Sequence, residues 1–330
     1  MDFETILTDA LRSGLGPIAA VYALAAMGLN LHFGYTGLLN FGQVGFMLVG
    51  GYGLAITVAT WGGSMWLGVL VGIACAVVLA LLLGLPTLRL RADYLAITTI
   101  AAGEALRLFY RSSWAEPTTG GVFGLQRFAN DFYDLNPIDP GSYGFWLIRF
   151  SSRDLWVLIV GWALVAVCGV LLALLVHSPW GRVIRAVRDD ETAARSLGKN
   201  VYAFKMTSLV LGGVIGAVAG MLQAVQVQSV NPDSYDPGVT FFLYTLLVLG
   251  GAGRILGPVV GSVLFWFLLG FLDSALRQAI GAGIIPEDVL STSEVGAVRF
   301  ALVGVALMLL IAFRPQGILG SRKEMLLSGR

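Results

Sequence analysis

Few side chains in this chain have the types and spacing that catalysis requires. Its two histidines, His32 and His177, lie far apart in the sequence, and no HExxH, CxxC or GxSxG motif is present. A phosphate-binding loop of the form GxxxxGK(S/T) is absent as well, because Gly198-Lys199 is followed by asparagine and alanine stands at the first glycine position. We therefore expect that the chain is not an enzyme, binds no metal or cofactor, and does not hydrolyse ATP itself.

The charged residues are concentrated in the segment GRVIRAVRDDETAARSLGKN, residues 181–200. It carries four Arg, one Lys, two Asp and one Glu, whereas charged residues form only 12% of the chain. Ser178-Pro179 can cap and begin a helix there, since proline is favoured at the first helical position. Three arginines follow at a spacing of three residues, Arg182, Arg185 and Arg188. The pattern predicts a helix with one basic face and a second face that carries Val183 and Val187.

A second short helix is predicted directly after the first. Asp190 offers a capping oxygen, Glu191 lies in the first turn, and Arg195 lies in the last turn, where a cation is favoured. Gly198 supplies the stop. The pattern predicts a two-turn helix over Asp190–Leu197, roughly 12 Å long.

Two adjacent alanines leave part of this second helix without bulky side chains. Ala193 and Ala194 would permit close approach of another backbone, which suits docking into a groove on a partner protein. The alternative is a solvated loop that contacts no partner. A charged helix with two caps and an alanine patch favours the docking interpretation.

The composition is that of a polytopic membrane protein. Of the 330 residues, 57% are hydrophobic, and the mean hydropathy is +0.80. The net charge of +1 provides no broad basic surface for nucleic acid. Both cysteines, Cys75 and Cys168, lie inside apolar runs, which indicates a core role rather than a disulfide. The N-terminus lacks the basic start of a secretory signal, so we expect its first apolar run to be retained.

Apolar runs of the length needed to cross a membrane recur along the whole chain. They are residues 16–32, 37–60, 64–85, 94–110, 154–176, 207–229, 239–250, 257–272 and 296–313. We expect about eight or nine crossings in an all-α fold, although the runs at 239–250 and 257–272 are shorter than the other runs. The whole chain, 1–330, is then a single transmembrane domain.

Basic residues in short loops predict the orientation, because they accumulate on the cytoplasmic side. The loop at 177–206 carries six of them and is expected inside, as is 86–93. The C-terminal tail is expected inside for the same reason, with Arg314, Arg322, Lys323 and Arg330. The longer segment 111–153 is expected to fold over the outer mouth, where an external partner could dock. Span parity places the N-terminus outside.

Two glycine-rich stretches interrupt the apolar pattern. The first, GYTGLLNFGQVGFMLVGGYG from Gly34, contains Gly42 and Gly45 and two polar residues three apart, Asn40 and Gln43, which would share a helix face. Either these residues line a translocation pathway beside an interrupted helix, or the glycines only permit close helix packing. The second stretch, LGGAGRILGPVVGSV, begins at Leu249. Paired breaks of this kind mark midplane sites in transporters.

One acid lies well inside a predicted span. Glu104 precedes Arg107 by three residues, so the two can pair on one helix face near the outer end of the span. An ion-coupled secondary carrier would need more intramembrane acids than this one. The pair therefore favours a structural role.

The chain resembles the LivM-type permease subunits of bacterial branched-chain amino acid ABC importers. The resemblance covers almost the whole sequence, and its motifs occur in the order of the family. They are GLNLHFGYTGLLNFGQVGFMLVGGY (28–52), GLPTLRLRADYLAITTIAAGEALRL (84–108), TTGGVFGL (118–125), GRVIRAVRDDETAARSLGKNVYAFK (181–205), NPDSY (231–235), VLGGAGRILGPVVGSVL (248–264) and FRPQGILG (313–320).

The resemblance implies a role for the charged segment. It would be the coupling loop of an ABC importer permease, with the helix at Asp190–Leu197 seated in a cleft of an ATPase subunit. Glu191, Ala193, Ala194 and Gly198 match the coupling pattern of the family, and together with Asp190 and Arg195 they are the residues expected to couple to the ATPase. Two departures stand out, because TTGGVFGL lacks the Pro-Asn that usually follows the paired glycines and Lys199 replaces a commoner apolar residue.

The resemblance also implies partners, location and cargo. It implies a LivH-type second permease, two ATPase subunits that bind ATP and Mg²⁺, and an external solute-binding protein, in a bacterial plasma membrane. Branched-chain amino acids would be moved inward by alternating access. Related permeases move urea or short amides, and nothing in the glycine-rich stretch separates those cargoes on physical grounds.

Overall fold

The computed structural model describes residues 2–89, 92–145, 148–286, 290–314 and 316–320. The long helices are α1 (Phe3–Leu15), α2 (Pro17–Asn30), α3 (Gln43–Ala55), α4 (Met65–Thr87), α5 (Ala92–Arg111), α8 (Ser152–His177), α9 (Pro179–Asp189), α11 (Val201–Val227), α12 (Pro237–Gly250), α13 (Gly257–Gly281) and α14 (Val295–Phe313). Short helices are α6 (Glu116–Thr119), α7 (Asn130–Asp134) and α10 (Glu191–Ser196). A π-helix, Leu31–Thr36, extends α2 directly, and a second one, Ile56–Thr60, extends α3.

The fold is that of an all-α polytopic membrane protein, as the sequence predicts. Six helical segments among the described residues are long and apolar enough to cross a membrane, and α12 and the first part of α14 are shorter apolar helices. The six are Phe3–Thr36, Gln43–Thr60, Met65–Thr87, Ser152–His177, Val201–Val227 and Gly257–Gly281. The segment predicted at 257–272 therefore reaches full spanning length, because its helix continues to Gly281. Arg91 and residues 321–330, which hold the basic tail of Arg322, Lys323 and Arg330, lie outside the described residues.

Three helices form the centre of the molecule. Helices α2 and α3 are buried on nearly all sides, and α11 is buried over much of its length between Ser208 and Val225, so these helices carry no polar stripe. Small residues let them approach closely: a Cβ at Gly50 would overlap the carbonyl of Ala217, and one at Gly220 would overlap that of Met47. Helices α4 and α8 lie around this centre and expose apolar side chains, as lipid-facing helices do, and α13 beside them leaves many of its apolar side chains partly exposed.

The two ends of the bundle carry different segments. One end, called the charged end after the loop at 181–200, carries α9 and α10. At the opposite end lie the segment between α5 and α8 and the N-terminus. Helix α1 reaches that opposite end because it packs against α13, where the amide of Asp2 donates to Gln278 Oε1 (2.6 Å) and Ser274 donates to Asp9 (2.8 Å).

Two small antiparallel ribbons, which the all-α prediction did not include, lie at the opposite end. Strand β1 (Leu125–Gln126) pairs with β4 (Ser229–Val230), and β2 (Ser142–Phe145) pairs with β3 (Ile148–Ser151). The first pairing joins the end of the TTGGVFGL motif to the two residues directly before the NPDSY motif, although about a hundred residues separate them.

The interrupted segment after α2 departs from the predicted run at 37–60. Helix geometry stops at Gly37, whose φ of +73° is a left-handed conformation that glycine adopts without strain. Residues 37–42 form a turn, and α3 begins only at Gln43. This turn lies beside the middle of α11 rather than at its end, since Gln43 contacts Gly212 and Thr36 contacts Ser208.

Candidate functional site

The charged loop folds into the two predicted short helices. Helix α9 begins at Pro179 and is capped by the Ser178 hydroxyl, and α10 is capped by Asp190, whose Oδ1 accepts from the amide of Ala193 (2.9 Å). Helix α10 ends before Gly198, which adopts a φ of +74°. The amide of Lys199 then donates to the carbonyl of Ala194 (3.2 Å). The prediction of a capped helix with a glycine stop is confirmed, although six residues rather than eight are helical.

Helix α10 is held on the bundle by ion pairs. Glu191 accepts from Arg195 on the same helix (2.6 Å) and from Lys205 on α11 (2.5 Å). The Lys205 side chain is largely buried, whereas Arg195 is exposed. The Lys205 bridge therefore attaches α10 to the end of a central helix, and the Arg195 bridge adds only local helix support.

The two alanines of α10 point in different directions. Ala194 is only 3% exposed and packs with Val187 and Val201, so it belongs to a small apolar cluster inside the loop. The expectation that Ala194 forms part of a bare docking patch is therefore wrong. It failed because α10 folds back on α9 and α11, which the helix pattern alone does not specify. Ala193 is exposed, as the docking interpretation requires.

A residue that sequence reasoning missed completes the exposed face of α10. Leu197 is 78% exposed at the end of the helix, four residues after Ala193, so the two share a face. In the sequence, its position as an isolated leucine between polar residues and the stop glycine could have indicated an exposed apolar contact. The outward surface of the loop is thus apolar at Ala193 and Leu197, with charge on either side.

Asn40 and Gln43 lie in a fully buried hydrogen-bond network. Both are 0% exposed, and Asn40 Nδ2 donates to Gln43 Oε1 (3.1 Å) and contacts His32 Nδ1 (3.1 Å). Asn40 Oδ1 accepts from the amide of Gly42 (2.9 Å), and Gln43 Nε2 donates to the carbonyl of Gly212 (3.2 Å). The idea that both residues share one helix face is wrong, because Asn40 precedes α3. Each side-chain N–H donor of this network has a hydrogen-bond acceptor inside the chain.

The glycines beside this network permit close packing on α5. A Cβ at Gly42 would overlap the carbonyl of Thr99, and one at Gly45 would lie 3.2 Å from the Cα of Gly103. The hydroxyl of Thr99 also accepts from the amide of Phe41 (3.0 Å). These contacts support the packing interpretation for Gly42 and Gly45. A role for Asn40, Gln43, Gly42 and Gly45 in translocation stays a prediction.

The two glycine-rich breaks meet in space. The side-chain oxygen of Asn30 accepts from the amide of Gly253 (2.9 Å), and its Nδ2 donates to the carbonyl of Arg254 (2.8 Å). A Cβ at Gly34 would overlap Asn30 and lie 2.5 Å from the Gly253 nitrogen. One buried side chain thus ties the end of α2 to the segment between α12 and α13.

An ion cluster joins α5 to the NPDSY turn at the opposite end. Arg107 makes a two-pronged contact with Glu104 (2.9 and 2.7 Å) and also donates to Asp233 (2.7 Å), which accepts from Arg111 as well (3.1 Å). The predicted pairing of Glu104 with Arg107 is confirmed, and Asp233 was not foreseen. Burial raises the pKa of the neighbouring Tyr235, whose hydroxyl donates to the carbonyl of Gly220 (3.3 Å).

Nothing in the described part of the chain has the donor set of a metal site. No group of three or more His, Cys, Asp or Glu side chains is placed to hold a metal ion there. Glu104, the one acid that the sequence places well inside a span, is already neutralised by Arg107.

Comparison with known proteins places the chain among transport permeases. It is 26% identical to the high-affinity branched-chain amino acid transport system permease protein LivM of Escherichia coli, over 92% of this chain and 69% of that protein. It is also 26% identical to the probable LivM of Methanocaldococcus jannaschii, over 91% and 90% of the two chains. A nucleoside ABC transporter permease, NupC of Lactococcus lactis, is 27% identical over 85% and 86%.

The family assignment rests on a match to most of the chain. The model of the branched-chain amino acid transport system / permease component family matches residues 17–312, which include the two glycine breaks and the charged loop. The resemblance to LivM-type permeases in the sequence motifs is confirmed by this match and by the LivM relatives. The chain therefore belongs to the family of branched-chain amino acid transport system permease components.

Proposed function

We propose that this chain is the LivM-type permease subunit of an ABC importer that moves branched-chain amino acids inward by alternating access. ATP and Mg²⁺ would be bound by two partner ATPase subunits, and α10 would receive the force of their closure. A LivH-type permease would form the second half of the pathway. The chain would lie in a bacterial plasma membrane with the charged end and the C-terminus in the cytoplasm.

The observation that carries the proposal is the separate helix α10 with an apolar outward face. Ala193 and Leu197 expose apolar surface beside Asp190 and Arg195, at the end of the molecule where basic residues accumulate. An isolated leucine on a charged loop gains stability when another protein covers it. A helix of six residues has little stability by itself. The caps and the Glu191 bridges hold α10 in one conformation, as a helix that docks on a partner protein requires.

The opposite end would receive the external solute-binding protein. The β1–β4 ribbon and the ion cluster around Asp233 give this end a defined surface, although both motifs that build it come from loops.

The substrate class rests on the family rather than on the geometry. The relatives named for branched-chain amino acids match 92% and 91% of this chain and the relative named for nucleosides matches 85%, all at an identity near a quarter, so identity does not separate the cargoes. The branched-chain class is favoured because the matched family and several of the relatives carry it.

The test is uptake of labelled leucine, urea and uridine in cells with and without this gene, with the neighbouring transport genes intact. Selective loss of leucine uptake is expected. Loss of urea or uridine uptake alone would replace the substrate and keep the ABC importer, and loss of none of them would contradict the transport role.

A second measurement tests the mechanism independently of cargo. The purified chain should carry ATPase subunits with it, and Leu197→Asp should remove them while the chain still purifies in the membrane fraction. Undiminished recovery of the ATPase with Leu197→Asp would contradict the assignment of α10 as the coupling helix.

A further inference from the structure

One arginine of the charged loop reaches into the first glycine break. Arg188 Nη1 donates to the carbonyl of Gly34 (2.6 Å), 154 residues earlier in the chain. The Arg188 side chain also packs closely against Gly37, because a Cβ at Gly37 would lie 3.0 Å from Arg188 Cγ. Of the three arginines on the basic face of α9, Arg188 is thus the one placed against an interrupted helix.

The carbonyl that Arg188 binds is one that the helix itself leaves without a partner. Gly34 lies in the last turn of the π-helix Leu31–Thr36, and the amides of Gly37 and Leu38 both donate to His32 instead. Carbonyls in the last turn of a helix lack partners within the helix, and a cation there is favoured by the helix dipole. Arg188 therefore caps the broken helix with a charge-assisted hydrogen bond.

The second glycine break lies against the same point. Arg188 Nη1 is 3.5 Å from the position a Cβ on Gly253 would occupy, and that position is 3.2 Å from the Gly34 carbonyl oxygen. Asn30 already ties the Gly253–Arg254 backbone to the end of α2. A movement of Arg188 would therefore act on both breaks together.

Arg188 is also next to the helix proposed to meet the ATPase. It lies two residues before Asp190, which caps α10, and its Nε donates to Asp189 (3.2 Å). Val187 beside it packs on Ala194 of α10, so α9 and α10 share a small core. The residues that connect α10 with Gly34 therefore pack against each other or form hydrogen bonds with each other along the whole path.

We infer that Arg188 is a positioning residue that transmits movement of α10 to the π-helix at Gly34 and to the segment between α12 and α13. The inference rests on the proposed function, because it requires an ATPase that moves α10. It adds to that function a specific contact between the loop and the two interrupted segments.

The experiment compares Arg188→Ala, Arg188→Lys and Arg182→Ala in the complete purified transporter. Arg182 is the matched control because it lies on the same helix but is exposed. The first measurement is the amount of labelled leucine moved per ATP hydrolysed in proteoliposomes. Arg188→Ala should lower this ratio by about tenfold, since one charge-assisted hydrogen bond between moving parts is lost. Arg188→Lys keeps the charge and should recover part of it, whereas Arg182→Ala should match the unaltered chain.

A second measurement does not depend on the cargo. Hydrogen exchange is followed at residues 31–38 and at the α10 residues, with and without ATP and vanadate. In the unaltered chain the nucleotide should change exchange at both places. In Arg188→Ala the change at α10 should remain and the change at 31–38 should be lost.

The outcomes separate this inference from the proposed function. An unaltered nucleotide response at 31–38 in Arg188→Ala would overturn the inference alone. So would a fall in leucine transport that merely parallels a fall in recovered complex, because a simple folding defect predicts it. If no ATPase accompanies the unaltered chain, the proposed function fails and the inference fails with it.

Discussion

Two polar regions of this apolar chain use their polar groups in opposite ways. Helix α10 carries Arg195 and its apolar face outward, and Ala194 and the Lys205 bridge hold it to the bundle. The network of His32, Asn40 and Gln43 is wholly enclosed, and its hydrogen bonds stay within the chain. A buried polar group without a partner is costly, so the enclosed network determines how the helices fit, whereas the exposed helix remains available to another protein.

The largest expected effect comes from breaking the enclosed network. Asn40→Leu removes the partners of the Gly42 amide and of Gln43 Oε1, and each buried group left unpaired costs about 1–3 kcal/mol. We expect a clear loss of thermal stability of the purified chain in detergent. Asn130→Leu, an exposed asparagine at the start of α7, is the matched control and should melt with the unaltered chain. A melting temperature unchanged by Asn40→Leu, together with altered uptake, would return Asn40 to the translocation pathway.

An intermediate effect is expected from arginine at the two adjacent alanines. Ala194→Arg forces a charge into the cluster with Val187 and Val201, so α10 should detach from the bundle and become sensitive to protease. Ala193→Arg leaves that cluster intact and should instead reduce recovery of the ATPase subunits. Ala186→Arg, at an exposed position of α9, is the control for added charge. Equal protease sensitivity of the Ala193 and Ala194 variants would show that the two side chains do not differ as described.

The smallest effect is expected from the bridge that holds α10 to α11. Lys205→Met keeps the length and apolar stem of the side chain but removes the contact with Glu191, which retains Arg195. Ion pairs with a partly exposed partner contribute roughly 0.2–1 kcal/mol, so we expect uptake to fall only about twofold. Uptake measured at rising ionic strength is the check, because the unaltered chain should approach the variant as salt screens the pair. Complete loss of uptake in Lys205→Met would mean that the bridge, and not the apolar face, controls coupling.

The sequence predicted the elements that depend on local chemistry. The caps at Ser178 and Asp190, the stop at Gly198 and the Glu104–Arg107 pair all involve residues within four positions of each other, and the structure has each of them. The lengths of the membrane-crossing helices could also be predicted, because the thickness of the hydrocarbon core sets a minimum length for each of them. The proposed role of the charged segment comes from the family motifs, because no local rule supplies it.

Contacts between distant segments were decided only by the tertiary structure. Whether Ala194 faces inward depends on where α11 lies, and whether Asn40 lines a path depends on the turn at Gly37 and on His32 beneath it. Arg188 has the same spacing as Arg182 and Arg185, yet it alone of the three meets the Gly34 carbonyl. Residue type and spacing thus determined the helices and their ends, because those follow from backbone hydrogen bonding and the membrane. Close packing between helices far apart in sequence determined which faces are buried, since that depends on which helices become neighbours.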